Sequence, residues 1–289
     1  MKKILIAIMM LLLTASLVSA SWSKTPDQIV GLGDVGDYSA PTFYTYKGIE
    51  KLIVGEYRED GKAANGYPKV NGEFFGFEWD GTQYTKNNNL VKGLSVDYYN
   101  PQLTTWHKNK NLDILFIGDL NGHIKAYKMT GKDWNKGKWK EIPKMTTGLP
   151  QNIVDPYPAI VEIGKKTYMV LTSQNCGVYA YQFKDGQWIE NKNMTKGIKE
   201  GLKPDESLCI SQAASTTIGK DIVLILSNGD GKFFTYTYQK NKWVRNDDFM
   251  SGLTRIYKGG YMPTFYQRNG NLYMLIGNLY GNFDAFKWI

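Results

Sequence analysis

The apolar residues of this chain fall in short runs that recur along most of its length. Each run holds three apolar residues and ends on a small residue, and stretches containing Gly, Asn and Lys separate it from the next segment rich in β-branched and aromatic side chains. The runs are residues 52–55, 115–118, 169–172, 224–227 and 274–277. Short runs of this composition between turn residues predict antiparallel β-strands.

The runs belong to five repeating blocks of the sequence. The blocks open at Pro41, Pro101, Pro158, Gln212 and Pro263, so their starts lie 60, 57, 54 and 51 residues apart. An aromatic residue follows each run, at Phe77, Tyr127, Tyr181, Tyr236 and Phe286. Self-similarity at a nearly fixed period indicates a repeat architecture in which each block is one structural unit.

The outer part of each block shows how the repeats close. Trp139, Trp188 and Trp243 are each followed nine residues later by Gly, as is Tyr84 in the first block. The last block ends at Ile289 before it reaches this element, whereas Trp22 stands nine residues before a glycine at the other end of the chain. We expect these tryptophans to pack between adjacent sheets.

This arrangement predicts an all-β fold, a five-bladed β-propeller with four-stranded antiparallel blades. The ring is closed by an N-terminal strand, within residues 22–40, that completes the C-terminal blade and so removes an exposed sheet edge. A five-unit β-solenoid is the rival, but a solenoid does not need its first segment to complete its last repeat.

The first twenty residues predict a secretory signal peptide. Lys2 and Lys3 precede an apolar run over residues 4–13, and Val18, Ser19 and Ala20 offer small residues for cleavage after residue 20. An uncleaved anchor needs a longer apolar core. We therefore expect residues 21–289 to be exported as a single propeller domain without a membrane span.

The net charge and the histidine content argue against several classes of function. The chain carries 35 basic and 27 acidic residues, and removal of the two signal lysines leaves 33 against 27, a net charge of +6. The lysines are scattered along the sequence, so no nucleic-acid partner is expected. With only His107 and His123 present, a His-rich metal centre and a Ser-His-Asp site are disfavoured.

Two stretches of the chain resemble the FG-GAP/VCBS repeat family. Residues 37–43 (Asp-Tyr-Ser-Ala-Pro-Thr-Phe), followed by residues 52–56, carry this resemblance, as do residues 112–122. The resemblance extends over residues 22–289 and implies an extracellular propeller used in adhesion, carbohydrate binding or protein contacts. The five-fold architecture is also similar to that of the tachylectin lectins.

Many FG-GAP/VCBS members carry an Asp-x-Asp-x-Asp-Gly calcium loop between the first two strands of a blade. In this chain the corresponding turns are rich in lysine, as at residues 46–48, 108–111, 164–166 and 219–221. A hard cation needs several oxygen ligands. We therefore expect the family's calcium sites to be lost, with neither a metal nor a cofactor.

The links between blades suggest where a ligand binds. In an up-and-down blade these links lie on one face of the propeller, and here they combine aspartates with tyrosines, a pairing that suits a sugar. The candidate ligand-binding residues are Asp37, Tyr38, Asp97, Tyr98, Tyr99, Asp155, Tyr157, Tyr257 and Tyr261. The alternative is that these residues only build repeated turns.

The two cysteines are expected on the same face as these links. Cys176 falls between the second and third strands of block three, and Cys209 falls in the link to block four. In an exported chain this placement suggests a disulfide that closes a loop of about 30 residues. Two free thiols are the alternative.

Together these features predict an exported, non-catalytic binding module. It would recognise a carbohydrate, or a protein or cell-envelope surface, through the face that bears the links. One alternative is an envelope scaffold without a small ligand. Another is a glycoside hydrolase or lyase that uses axial carboxylates such as Asp37, Asp97, Asp155, Asp205 or Glu206. A catalytic pair should be specific to particular blades, whereas Asp37 and Asp97 repeat at one position.

Overall fold

The structure is a computed structural model of the 289-residue chain. It describes residues 20–33, 35–62, 68–95, 101–109, 112–203, 205–209, 212–253 and 261–289. Within strands, the side chains of residues 37, 58–62, 68–71, 108–109 and 112 are not described. The predicted signal peptide lies almost wholly outside the described residues and stays a prediction.

The described residues form twenty strands in five four-stranded antiparallel sheets, the blades. Blade 1 contains β2 (Asp37–Tyr46), β3 (Ile49–Lys62), β4 (Pro68–Trp79) and β5 (Tyr84–Lys86). Blade 2 contains β6 (Gln102–Asn109), β7 (Leu112–Gly118), β8 (Ile124–Thr130) and β9 (Lys138–Glu141). Blade 3 contains β10 (Pro156–Ile163), β11 (Lys166–Ser173), β12 (Val178–Lys184) and β13 (Gln187–Glu190). Blade 4 contains β14 (Gln212–Ile218), β15 (Asp221–Ser227), β16 (Phe233–Gln239) and β17 (Lys242–Arg245).

Blade 5 contains β18 (Tyr261–Arg268), β19 (Asn271–Asn278), β20 (Phe283–Trp288) and the N-terminal strand β1 (Trp22–Lys24). Short 3₁₀ helices cover Pro26–Ile29, Asn88–Val91, Pro143–Thr146, Lys192–Thr195, Lys199–Gly201 and Asp247–Met250. None of these helices has the length and apolar character that a membrane-spanning helix requires.

The five blades form a closed ring. The innermost strands β2, β6, β10, β14 and β18 each contact the next one, and β18 contacts β2. The last blade is completed from the other end of the chain, since Trp22 pairs with Trp288 and Lys24 pairs with Phe286. The structure thus confirms the predicted five-bladed propeller and its closure by the N-terminal strand.

The second strand of each blade forms the centre of the core. Leu224, Ile225 and Leu226 of β15 are fully buried, although successive side chains point to opposite faces of the sheet. Each blade is covered on both faces by its neighbours, so both faces of this strand must be apolar. This explains why the runs in the sequence are continuous rather than alternating.

In blades 2 to 5, a tryptophan in the outer strand joins the blade to the one before it. The indole Nε1 of Trp188 donates to the carbonyl of Met145 at 2.8 Å, and that of Trp243 donates to the carbonyl of Met194 at 2.8 Å. The same bond joins Trp139 to Leu90 at 2.7 Å and Trp22 to Phe249 at 2.9 Å. All four tryptophans are buried.

The glycine nine residues after each of these aromatic residues lies against the next blade. Gly252 has φ +82°, and a Cβ added to it would lie 1.8 Å from the carbonyl oxygen of Trp22. Gly197 meets the carbonyl oxygen of Trp243 in the same way, at 1.8 Å with φ +88°. Since no larger residue fits there without a backbone shift, this contact fixes glycine in every repeat.

The antiparallel order gives the propeller two distinct faces. The link face carries the connections between blades and the loops between second and third strands. The turn face carries the turns between first and second strands and between third and fourth strands.

A disulfide joins Cys176 to Cys209, as predicted, and closes a sequence separation of 33 residues. It ties the link before blade 4 to the loop between β11 and β12 on the link face. The carbonyl of Cys209 also accepts a hydrogen bond from the backbone of Gly229 at 3.4 Å, so the same link is held to blade 4.

We expect Gly252→Ala to destabilise the protein far more than Gly219→Ala. Both glycines have positive φ, but a Cβ on Gly219 meets nothing within 4 Å, whereas one on Gly252 meets Trp22 at the seam of the ring. The control substitution should cost about 1–2 kcal/mol of backbone strain, and the seam substitution about 2 kcal/mol or more beyond that. Urea denaturation measures both, and equal losses would contradict the close contact at the seam.

Candidate functional site

The predicted site residues Asp155 and Tyr157 are buried and form a hydrogen bond with each other. Both are 2% exposed, and the Tyr157 hydroxyl donates to the Asp155 carboxylate. Burial raises the pKa of Tyr157 well above its ordinary value, and the charge of Asp155 adds to this. The pair therefore lies at the axis on the link face, but it is enclosed.

The other predicted residues are dispersed or not described. The Tyr38 ring lies 5.3 Å from that of Tyr57, and Tyr261 is buried with its ring stacked on Phe233 at 5.3 Å. Asp97, Tyr98, Tyr99, Tyr257 and the side chain of Asp37 fall outside the described part of the chain. A ligand-binding role for this set stays a prediction.

Two of the acids considered for catalysis lie away from the axis. Glu206 pairs with Arg245 at 3.2 Å, and Asp205 lies 3.8 Å from Lys232. These contacts are made with the outer part of blade 4, so neither carboxylate faces the centre of the ring.

An axial cavity of about 390 Å³ lies between the innermost strands of all five blades. It is lined by the parts of these strands nearer the turn face, including Thr42, Thr105, Ser215 and Thr264. Towards the link face, the space between described residues such as Gln102, Gln212 and Pro41 is about 10 Å³. The cavity therefore opens on the turn face, opposite to the predicted ligand-binding face.

One register position of the blades provides the ionisable groups at this cavity. In each blade this position is a pair of residues that face each other across the first and second strands. The pair lies close to the turn that joins these two strands. In blades 1 to 5 the pairs are Thr45 with Glu50, His107 with Asp113, Glu162 with Thr167, Thr217 with Ile222, and Gln267 with Leu272. The ionisable groups thus come from three adjacent blades, and blades 4 and 5 supply neutral side chains.

Glu162 is oriented by a neighbouring tryptophan. Trp106 of blade 2 donates from Nε1 to Oε1 of Glu162 at 3.2 Å. Trp106 is 4% exposed and packs edge-on against Phe183 at 5.0 Å, so its indole is held firmly. The residue Glu162 itself stays exposed, which leaves its carboxylate open to the cavity.

His107 and Asp113 form a hydrogen-bonded pair across the same position in blade 2. The Nδ1 atom of His107 lies 2.9 Å from Oδ2 of Asp113, a buried carboxylate that also accepts from the backbone of Thr45 at 2.6 Å. Desolvation lowers the pKa of His107, but the hydrogen bond and charge of Asp113, with the charges of Glu50 and Glu162, raise it overall. Nε2 lies on the opposite edge of the ring from the atom that contacts Asp113.

The surroundings of Glu50 shift the pKa of its carboxyl group. The residue lies exposed at the mouth of the cavity, yet the surrounding protein desolvates its carboxyl group and raises its pKa above 4.5. Arg268 and His107 partly oppose this shift, and Asp113 adds to it. Glu50 therefore keeps its proton to a higher pH than an ordinary glutamic acid.

This arrangement suits acid–base chemistry. It joins a carboxyl group of raised pKa, a carboxylate held by Trp106 and an imidazole held by Asp113 around one cavity. Among the described residues, no group of three or more His, Cys, Asp or Glu side chains could hold a metal ion.

Sequence reasoning missed these residues because it followed the features that repeat. Glu50, His107 and Glu162 occupy equivalent places, but their chemistry changes from blade to blade. That departure from the repeat is the signal that could have identified them.

Comparisons with known proteins show the fold at low sequence identity. No family model and no curated protein matches the chain, so the resemblance to FG-GAP/VCBS repeats is not confirmed. Among solved structures, the catalytic domain of the Coprinopsis cinerea GH62 α-L-arabinofuranosidase is similar with a TM-score of 0.59 and 13% identity, covering 93% of this chain and 97% of that one. The α-L-arabinofuranosidase of Podospora anserina is similar with a TM-score of 0.55 and 14% identity, covering 94% of this chain and 97% of that one. A GH43_1 enzyme from Xanthomonas citri is similar with a TM-score of 0.51 and 10% identity, covering 94% of this chain and 90% of that one.

These comparisons contradict our expectation of a non-catalytic binding module. The three solved structures named above share this propeller along nearly their whole length, and they are glycoside hydrolases. Our preference for a binding protein over an enzyme is contradicted by the same structures.

We expect the imidazole of His107 to titrate above pH 6.5, and Asp113→Asn to lower its pKa, because the neutral amide removes the charge that stabilises the imidazolium. A ¹⁵N–¹H NMR titration measures this, with His123→Gln to assign the two histidines. Asp221→Asn, in a turn of the same face, is the matched control and should leave the pKa of His107 unchanged. An unchanged pKa in Asp113→Asn would show that the pair does not form in solution.

Proposed function

We propose that the protein is an exported glycoside hydrolase whose active site is the axial cavity on the turn face. The observation that carries this proposal is the presence of Glu50 and Glu162, from different blades, at one cavity with His107 beside them. Support for the reaction class comes from the named activities of the propellers similar to this chain. Support for export comes from the Cys176–Cys209 disulfide and the predicted signal peptide.

Glycoside hydrolysis needs two carboxyl groups with different protonation states. Glu50, with its raised pKa, is the general acid in this proposal and gives its proton to the oxygen of the leaving alcohol. Glu162 is the carboxylate on the other side of the scissile bond. The bond between the anomeric carbon and the bridging oxygen breaks as Glu50 donates its proton to that oxygen, and the hydroxyl of water adds to the anomeric carbon. Glu162 accepts the remaining proton of the water, and proton exchange with solvent returns both groups to their starting forms.

The neighbouring residues position these groups. Trp106 fixes one oxygen of Glu162 and leaves the other for the substrate. His107, oriented through Nδ1 by Asp113, presents Nε2 to a sugar hydroxyl. Threonine, serine and glutamine side chains from blades 1, 2, 4 and 5 provide further hydroxyl and amide groups, and the cavity volume is within the range of small-molecule sites.

We expect Glu50→Gln and Glu162→Gln each to lower kcat about 10²–10⁴-fold, because each removes a group that transfers or accepts a proton. The measurement is hydrolysis of a panel of 4-nitrophenyl glycosides, including the α-L-arabinofuranoside and the β-D-xyloside. Glu190→Gln, at the exposed end of β13, is the matched control and should retain full activity. Full activity in both cavity variants, or no hydrolysis of any glycoside or polysaccharide by the parent protein, would overturn the proposal.

The pH dependence of kcat should show whether Glu50 is the general acid. Because desolvation by the surrounding protein raises the pKa of Glu50, its protonated form persists above pH 4.5 and activity should fall as the pH rises through that raised pKa. A profile on the best glycoside substrate measures this limb. A fall in kcat centred at or below pH 4.5 would exclude Glu50 as the general acid.

A further inference from the structure

The turn face carries a concentration of lysines that catalysis does not use. The turns of blades 2, 3 and 4, with the strand ends beside them, hold nine exposed lysines, here called the lysine arc. They are Lys132, Lys136, Lys138, Lys165, Lys166, Lys184, Lys220, Lys240 and Lys242. The lysines are scattered in the sequence, but the propeller gathers them on three neighbouring blades of one face.

The lysine arc is not neutralised by the described part of the protein. The same turns hold three aspartates, Asp133, Asp185 and Asp221, against nine lysines. The Asp133 carboxylate accepts a hydrogen bond from the backbone N–H of Lys136 at 2.9 Å, so it stabilises the turn to which it belongs. The ion pairs formed among described residues involve other basic residues, among them Lys24, Lys51, Lys232 and Arg245. Like charges gathered on one face repel each other, which favours a ligand of opposite charge.

The lysine arc adjoins the axial cavity. Lys165 and Lys166 form the turn that follows Glu162, and Lys220 lies in the equivalent turn between Thr217 and Ile222, which also line the cavity. The remaining six lysines lie further out, in the turns between third and fourth strands. A chain that enters the cavity would therefore pass over three blades of positive charge.

The same turns lack what a nucleic acid would need. Single strands bind to exposed aromatic rings on which bases stack, in addition to basic groups. In the described turns of the lysine arc, the aromatic residue is Trp134, which is 4% exposed and packs edge-on against Tyr44 at 5.8 Å. The described turns of the lysine arc therefore present positive charge without an exposed aromatic ring on which a base could stack.

We propose that the lysine arc binds an anionic polysaccharide, so that the substrate of the axial site is a sugar chain bearing carboxylate or other acidic groups. This inference rests on the proposed glycosidase function and names the substrate class for that site. The acidic groups of the chain lie over blades 2 to 4, and the scissile bond lies between Glu50 and Glu162.

The test measures binding separately from hydrolysis. The parent for binding is the Glu50→Gln/Glu162→Gln protein, which cannot turn over a bound chain. One variant adds Lys165→Gln, Lys166→Gln and Lys220→Gln. The matched control adds Lys199→Gln, Lys203→Gln and Lys232→Gln, three lysines on the link and second-to-third-strand loop of the opposite face. The probes are polygalacturonate, neutral linear arabinan and single-stranded oligothymidylate, with biolayer interferometry as the measurement.

We expect the parent to bind polygalacturonate at about 0.05 M salt and to lose at least about tenfold in affinity at about 0.5 M, where surface charges are screened. The triple substitution in the lysine arc should weaken binding by about tenfold, which is about 1.4 kcal/mol, and the control triple should leave it unchanged. Equal binding by the lysine-arc variant and the parent would overturn the inference. Tighter binding of oligothymidylate than of polygalacturonate would overturn it in favour of a nucleic-acid surface.

Hydrolysis of neutral 4-nitrophenyl glycosides distinguishes this inference from the proposed function. If the otherwise unsubstituted protein hydrolyses them but polygalacturonate binding does not depend on the lysine arc, the substrate class is wrong and the glycosidase function stands. If polygalacturonate binds through the lysine arc but no glycoside or polysaccharide is cleaved, the glycosidase function is wrong and the binding surface stands.

Discussion

The contact between each outer strand and the preceding blade is the constraint on which the structure depends. A buried tryptophan donates its indole hydrogen to a carbonyl of the preceding blade, and a glycine of that blade packs against the tryptophan's own carbonyl, as Gly252 does against Trp22. A buried indole needs such a partner, and the close approach leaves no room for a Cβ. In blade 1 the aromatic residue is Tyr84, whose hydroxyl accepts from Arg268 instead. This repeated contact holds each outer strand against the preceding blade around the ring.

Closing the ring brings the innermost strands together and creates the site. Antiparallel pairing places the same register position of every blade at the same height around the axis, so a change of residue there alters the cavity without disturbing the core. Glu50, His107 with Asp113, and Glu162 occupy this position in consecutive blades. The repeat supplies the scaffold, and its departures from regularity supply the chemistry.

The two faces handle charge differently. On the link face, Asp155 is buried beneath a tyrosine hydroxyl and Glu206 is paired with Arg245, so these acids are satisfied within the protein. On the turn face the lysine arc stays exposed around a cavity whose carboxyl groups come from Glu50 and Glu162. The exposed lysines beside the cavity are the reason that our proposal places an extended anionic ligand on the turn face.

The sequence by itself determined the five blades, the completion of the last blade by Trp22 and the placement of Cys176 and Cys209 on one face, because each depends on periodic spacing or on loops placed by it. The structure then decided between a disulfide and two free thiols. The sequence did not locate the cavity, since the width of an axial channel depends on how β-sheets pack and twist around the ring. The sequence also did not show that the lysines of the lysine arc lie on one face, because they are far apart along the chain. The raised pKa of the Glu50 carboxyl group follows from tertiary structure alone, because it depends on the groups that surround this carboxyl group in space.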